Sequence, residues 1–178
     1  YHNPSPADLE EWRELMTRWH QYGAFVPLFR SHGEFPYREM YNTAPENHIA
    51  YKTMVSYNRL RYRLMPYVYS LAGQAWLSDY TIMRGLTMDF SLDAAVFDIA
   101  DQYMFGPALM VNPVTEYRAR SREVYLPSAY GWYDMRTGTY FAGGTVVEAE
   151  APYEWMPLFV KEGSVIPTGP EIQYTNEI

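Results

Sequence analysis

Arg30 and His32 follow a short apolar run, Ala24-Phe25-Val26-Pro27-Leu28-Phe29, and of all side chains in the sequence they are the pair best placed to do chemistry. The run is rich in β-formers and bounded by Gly23 and Gly33, which fits a buried strand. Pro27 cannot donate to a ladder, so that strand is expected to be short or irregular on one side. In an α/β barrel the polar residues at the carboxyl end of a strand face the active site, and a strand between two helices is one unit of such a barrel. His32 is a site residue on this reading. The residue types alone also allow a loop histidine bonded to a neighbour. They equally allow Arg30 to hold a carboxylate in a site or to anchor the loop through Glu34 or Glu39.

Paired carboxylates are the other chemistry to seek. Glu34, Glu39, Asp79, Asp89, Asp98 and Asp101 have no spacing that separates a nucleophile from an acid, and each reads as solvated surface. Asp134, before Met135 and Arg136, falls where aspartate is ordinary turn chemistry. His2, His20, His32 and His48 lack metal-ligand spacing. There is no glycine-rich phosphate loop and no Gly-x-Ser-x-Gly elbow. No metal or cofactor is therefore expected.

Composition narrows the class. Among 178 residues, 14 basic and 21 acidic side chains give a net charge of −7, which argues against a nucleic-acid or anionic-membrane partner. The absence of cysteine excludes a disulfide scaffold and a thiol nucleophile but leaves the compartment undecided. No stretch approaches the roughly 20 apolar residues of a membrane span. Eighteen Tyr, 8 Phe and 5 Trp exceed what a core of this size needs, and flat amphipathic rings suit sugars. The first residue is Tyr, and Tyr1-His2-Asn3-Pro4 runs directly into a helix start, as in a chain taken from the middle of a longer protein.

The elements that must position these residues follow from period and punctuation. Ser5 as N-cap, Pro6 in the first turn and Asp8 as a capping-box partner open a helix that ends near Gly23. Its apolar stripe is Leu9, Trp12, Leu15, Met16 and Trp19. After a polar loop from Arg30 to Asn42, Thr43-Ala44-Pro45-Glu46 is expected to open a long helix, with Ile49, Met54, Tyr57, Leu60, Leu64, Val68, Leu71 and Ala75 on its packed face. Pro66 should kink it or split it. Strands are expected at Gly85–Phe90, Ala108–Val111, Glu123–Leu126, Gly131–Asp134, Thr139–Phe141, Thr145–Ala149, Leu158–Lys161 and Val165–Pro167, with a hairpin at Arg136-Thr137-Gly138 and a short helix within Asp93–Gln102.

Four blocks carry a family resemblance. Arg18-Trp19-His20-Gln21-Tyr22-Gly23-Ala24-Phe25 continuing to Phe29-Arg30-Ser31-His32 closely resembles the Arg-Trp-x-Gln-x-Gly-Ala-Phe to Phe-x-Arg-x-His passage of glycoside hydrolase family 31, the α-glucosidases and α-xylosidases. Leu60-Arg61-Tyr62-Arg63-Leu64-Met65-Pro66-Tyr67-Val68-Tyr69-Ser70 resembles the helix after the family's last barrel strand. Asp101–Val114 resembles the entry to its proximal C-terminal β-sandwich, and Trp155–Pro167 that domain's closing strands.

The resemblance implies an α+β fragment. Residues 1–85 would be the last strand and flanking helices of a (β/α)8 barrel, and residues 86–178 an antiparallel β-sandwich domain. It implies retaining hydrolysis of terminal α-xylose or α-glucose from an oligosaccharide, by two aspartates that lie upstream of the matching segment. The double displacement needs two carboxyl groups about 5–5.5 Å apart, so the chain alone is expected to be inactive. His32 matches the histidine that binds hydroxyls of the sugar next to the scissile bond, and Arg30 a supporting neighbour. Phe29–Gly33, together with Asp79-Tyr80-Thr81-Ile82-Met83-Arg84-Gly85-Leu86, looks most like bacterial α-xylosidases. Two further readings are an α-glucosidase and a non-catalytic carbohydrate-binding or bracing β module. Trp12, Trp19, Tyr57 and Trp76, placed on inward faces, speak against the free-standing module. A barrel face that leaves Phe25, Phe29 and the helix stripes without partners would favour self-association.

Overall fold

The computed structural model describes residues 4–172 and 174–177. Helix α1 (Pro6–Gly23) begins as its first residues dictate. Ser5 Oγ accepts from the Asp8 amide at 3.2 Å, and the Asp8 carboxylate accepts from the Ser5 amide at 3.1 Å. Its fully buried face is not the expected one, of which Leu9, Trp12 and Met16 are half-buried. Trp19 is 60% exposed and Leu15 48%, whereas Glu14, Thr17, Arg18 and Gln21, also at three- and four-residue steps, are buried. These polar side chains meet main-chain carbonyls and an arginine of the β half, so burial here satisfies hydrogen bonds instead of hiding apolar area.

The segment Ala24–Phe29 is not a strand; it turns away from α1. The Phe25 and Val26 amides donate back to Tyr22 O at 2.9 Å and Gly23 O at 3.3 Å. A barrel strand is held by neighbours on both sides, and no described strand lies alongside this segment. Phe25 and Phe29 are nonetheless partnered. Phe25 is fully buried, edge-on to Phe105 at 6.0 Å and Tyr57 at 6.3 Å, and Phe29 sits edge-on to His20 at 4.9 Å.

A one-turn helix α2 (Met40–Thr43) occupies the end of the expected loop. Thr43 does not cap the following helix, because its hydroxyl already donates to Glu39 O at 3.1 Å. Helix α3 (Ile49–Arg63) starts instead at His48, whose Nδ1 accepts the Ala50 amide at 3.1 Å. The break expected at Pro66 is present: α4 (Met65–Ser78) is a separate helix with Pro66 in its first turn, where a missing N–H costs nothing. Met54, Tyr57, Leu64, Tyr67 and Leu71 form the packed face of the pair. Trp76, at the other end of α4, is 87% exposed, so neither it nor Trp19 faces inward as expected.

The β half is built on one antiparallel sheet of order β1-β2-β3-β8-β5-β6: β1 (Met83–Gly85), β2 (Tyr103–Phe105), β3 (Leu109–Val111), β8 (Leu158–Lys161), β5 (Trp132–Asp134) and β6 (Tyr140–Phe141). A second sheet pairs β4 (Ser121–Leu126) with β7 (Thr145–Glu150). Side chains alternate across the central sheet as the pleat requires. Phe105, Leu109, Val111 and Leu158 pack against α3 and α4. Met104, Met110, Trp132 and Phe159 pack against Val124, Leu126 and Ala149 of the second sheet. The central sheet is thus the middle of three layers, buried on both faces at β3.

Three expected elements differ. The Gly85–Phe90 strand ends where it was to begin, since β1 pairs Gly85 with Tyr103 at the limit of β2, and Leu86–Asp89 forms a single helical turn, α5. The sheet therefore begins at Met83, ahead of the division read from sequence. The helix within Asp93–Gln102 reduces to a 3₁₀ turn at Ala94–Val96. Val165–Pro167 is not a strand; Ile166 packs on the first core, and the Gly169 amide donates to Arg63 O at 2.8 Å.

Candidate functional site

Arg30 and His32 meet. Arg30 Nη2 lies 2.9 Å from His32 Nδ1. A guanidinium can only donate, so Nδ1 accepts and the ring proton sits on Nε2, which is left to donate to a ligand. Both residues are exposed at the rim of a hollow of about 480 Å³ whose lining includes Trp12, Trp19, Leu28 and Phe29. No Asp or Glu lines this hollow. A surface of this kind can stack a ring and orient hydroxyls, but it offers no carboxylate pair for a double displacement.

The loop beyond His32 is shaped by Gly33. At φ +149 a Cβ there would lie 1.6 Å from Arg38 Nη1, which donates to Glu34 O at 2.9 Å. The alternative in which Glu34 or Glu39 anchors Arg30 does not occur, because Arg30 pairs with His32 and the Glu39 carboxylate accepts from Asn42 Nδ2 at 3.1 Å. Inside the hollow, His20 Nε2 bonds Asn58 Oδ1 at 2.9 Å. Burial pushes the His20 pKa below its ordinary value, with the Asn58 hydrogen bond acting the other way.

The remaining acidic residues take structural positions. Asp79 ends α4 at φ 53, and Asp98 is exposed. Arg84 Nε lies 2.9 Å from both oxygens of Asp89, and Arg122 Nη2 2.7 Å from Asp101 Oδ2. Asp134 Oδ1 accepts the Arg136 and Thr137 amides at 2.7 and 3.0 Å and so shapes the β5–β6 turn. His48 is a helix cap, and His2 lies outside the described residues. Among the described residues, no group of three or more His, Asp or Glu side chains could hold a metal ion, and no helix is long and apolar enough to cross a membrane.

Two arginines were missed as anchors. Arg61 Nη1 and Nη2 donate to Ala24 O at 2.8 Å and Pro27 O at 3.1 Å, while Tyr103 Oη donates to Phe25 O at 2.9 Å. Arg18 donates to Ala119 O, Ala151 O, Pro152 O and Trp155 O at 3.0 to 3.2 Å. Gln21 Nε2 adds a bond to Tyr153 O at 3.0 Å, and Glu14 accepts from Arg120 at 2.5 and 3.1 Å. The polar spacing 14, 17, 18, 21 was itself a helical stripe and could have signalled the second anchor. Nothing local marks Arg61, because its acceptors are carbonyls more than thirty residues away.

The family model for the glycosyl hydrolases family 31 TIM-barrel domain matches residues 2–71, and that for the glycosyl hydrolase family 31 C-terminal domain matches residues 79–166. An α-xylosidase of Saccharolobus solfataricus is 40% identical over 160 residues, 90% of this chain and 22% of its own length. The human neutral α-glucosidase C is 38% identical over 157 residues, 86% of this chain and 17% of its own. The crystal structure of a family 31 α-xylosidase from Xanthomonas citri superposes with a TM-score of 0.95 at 56% identity, covering 98% of this chain and 19% of that one. The chain belongs to glycoside hydrolase family 31 and carries the end of its barrel together with its C-terminal β domain. It spans about a fifth of the length of these relatives.

Proposed function

We propose that the chain is part of a retaining α-glycosidase that removes terminal non-reducing α-linked sugars from oligosaccharides, with α-xylose the preferred sugar. His32 binds hydroxyls of that sugar through Nε2–H, and Arg30 holds the ring in the tautomer that makes this donor available. The observation that carries the reading is the Arg30–His32 hydrogen bond of 2.9 Å at the rim of an aromatic-lined hollow. A donor fixed this way can bind more strongly as the sugar flattens toward an oxocarbenium-like transition state, so its contribution is to positioning and stabilisation and not to proton transfer.

Residues 1–85 supply the close of the barrel and residues 86–178 a β domain that braces it. Two relatives named α-xylosidase, at 40% and 56% identity, favour the xyloside reading. The second reading, an α-glucosidase, is supported by the 38% identity to neutral α-glucosidase C. We further propose that copies of this chain associate through the exposed apolar side of α1 and the neighbouring Leu28.

The purified chain should release no nitrophenol from aryl α-xyloside or α-glucoside, because the hollow beside His32 has no carboxylate lining it. Exchanged for the matching segment of the Xanthomonas citri enzyme, it should support xyloside hydrolysis. In that chimera His32→Ala should lower kcat/KM about a hundredfold, on the order of 2–3 kcal/mol of transition-state stabilisation. An unchanged rate would reduce His32 to a loop residue, and faster cleavage of the glucoside would favour the second reading.

A further inference from the structure

We propose that Arg61 and Tyr103 are positioning residues for the sugar site, acting through the main chain of residues 24–27. The segment leading to Arg30 has no ladder, so its carbonyls need other donors. Three of them find one: Ala24 O and Pro27 O accept from Arg61 at 2.8 and 3.1 Å, and Phe25 O accepts from Tyr103 at 2.9 Å. The donors come from two different layers, Arg61 from α3 and Tyr103 from β2 of the central sheet. They converge on the segment just ahead of the residue that fixes the His32 tautomer.

Arg61 is an expensive choice for this position. It is 9% exposed, and none of the ion pairs among the described residues involves it. Its charge is met by two carbonyl dipoles and the face of Phe105, 5.8 Å away. A buried cation without a counter-ion is costly unless its donors are used, and an aliphatic side chain could fill the space. What an aliphatic side chain cannot do is hold two carbonyls three residues apart. Phe105, which receives the cation on its face, also stacks edge-on against Phe25, so ring and guanidinium secure the same segment from two sides. The central sheet is thereby tied to the site loop without contributing a residue to the site.

The functional meaning of this brace rests on the sugar-site reading, but its test does not. In the 178-residue chain, amide exchange and the imidazole ¹⁵N shifts of His32 are measured for the wild type, Arg61→Met, Arg61→Lys and Tyr103→Phe. Arg61→Met should speed exchange at Phe25 and Val26 at least about tenfold. It should also move His32 from the Nε2–H form toward a mixture of tautomers, while the amides of Met110 and Phe159 in the central sheet change less than about twofold. Arg61→Lys, which keeps the charge and one donor direction, should fall between. Tyr103→Phe removes one hydroxyl and little volume, and should give a smaller change at the same two amides. That variant decides the matter if Arg61→Met does not fold. Unchanged exchange at Phe25 and Val26 with an unchanged His32 tautomer, or an equal rise across all amides, would overturn the proposal. Local loosening in this chain, combined with no xyloside hydrolysis by the chimera, would leave the brace standing and remove the sugar reading.

Discussion

His20 couples the stability of the site region to pH. Its ring is half-buried between Phe29 and Asn58, and desolvation there holds its pKa below the ordinary histidine value. In the unfolded chain the same ring titrates near 6.5. As pH falls below that value the unfolded state takes up a proton that the folded state refuses, so stability is retained above about pH 6.5 and lost on acidification toward the folded pKa. Urea unfolding at pH 7.5 and 5.5 should show this loss, and His20→Gln, which can still donate to Asn58, should show less of it. Identical slopes for the two proteins would rule out the linkage. Tyr67 behaves in the opposite sense. Burial pushes its hydroxyl up to about 12, so it stays protonated and donates to Phe105 O at 2.8 Å. Arg30 and His32 stood out as candidates by residue type at the end of an apolar run, and the resemblance gave each an expected role. Their mutual hydrogen bond was not legible, because residues two apart share a face in extended backbone but residue types do not fix the rotamers that bring guanidinium and ring together.

Helix α1 carries two stripes, and the polar one is buried. Arg18→Ala removes four bonds to carbonyls of the β half and leaves those acceptors, that of Ala151 buried and the others half-buried, without this donor, which should cost about 3 kcal/mol. Trp19→Ser, on the expected core stripe, should change the isolated chain by no more than about 0.5 kcal/mol. Denaturant midpoints for the two variants distinguish the faces, and the reverse ranking would restore the apolar one. The start of α1, the split at Pro66 and strand β8 were readable from local chemistry, because caps, prolines and alternating apolar residues act within a few positions. The start of α3 was misread because Thr43, a good cap by type, spends its hydroxyl on Glu39. Strand β2 escaped notice at three residues long, and the expected strand at Ala24–Phe29 lacked neighbours to pair with. Ladders depend on what lies alongside, and that is set by tertiary structure.

At the scale of the whole chain, three layers share one sheet, and the apolar side of α1 remains open. Leu15, Trp19 and Leu28 are between 48% and 73% exposed on neighbouring parts of the surface. Sedimentation velocity should show concentration-dependent association of the chain, and Trp19→Lys combined with Leu28→Lys should shift it toward monomer; a chain that stays monomeric at the highest concentrations would dispose of that contact. The joins between layers have a further property. Arg18 and Arg61 both grip main-chain oxygens, which every amino acid presents alike. A fastening of this kind is blind to the side chains of the segment it holds. Substitutions at the exposed positions of residues 24–27 and 151–155, Pro27 and Glu154, therefore leave the joints fastened, whereas Ala24, Phe25 and Ala151 are held by full burial as well.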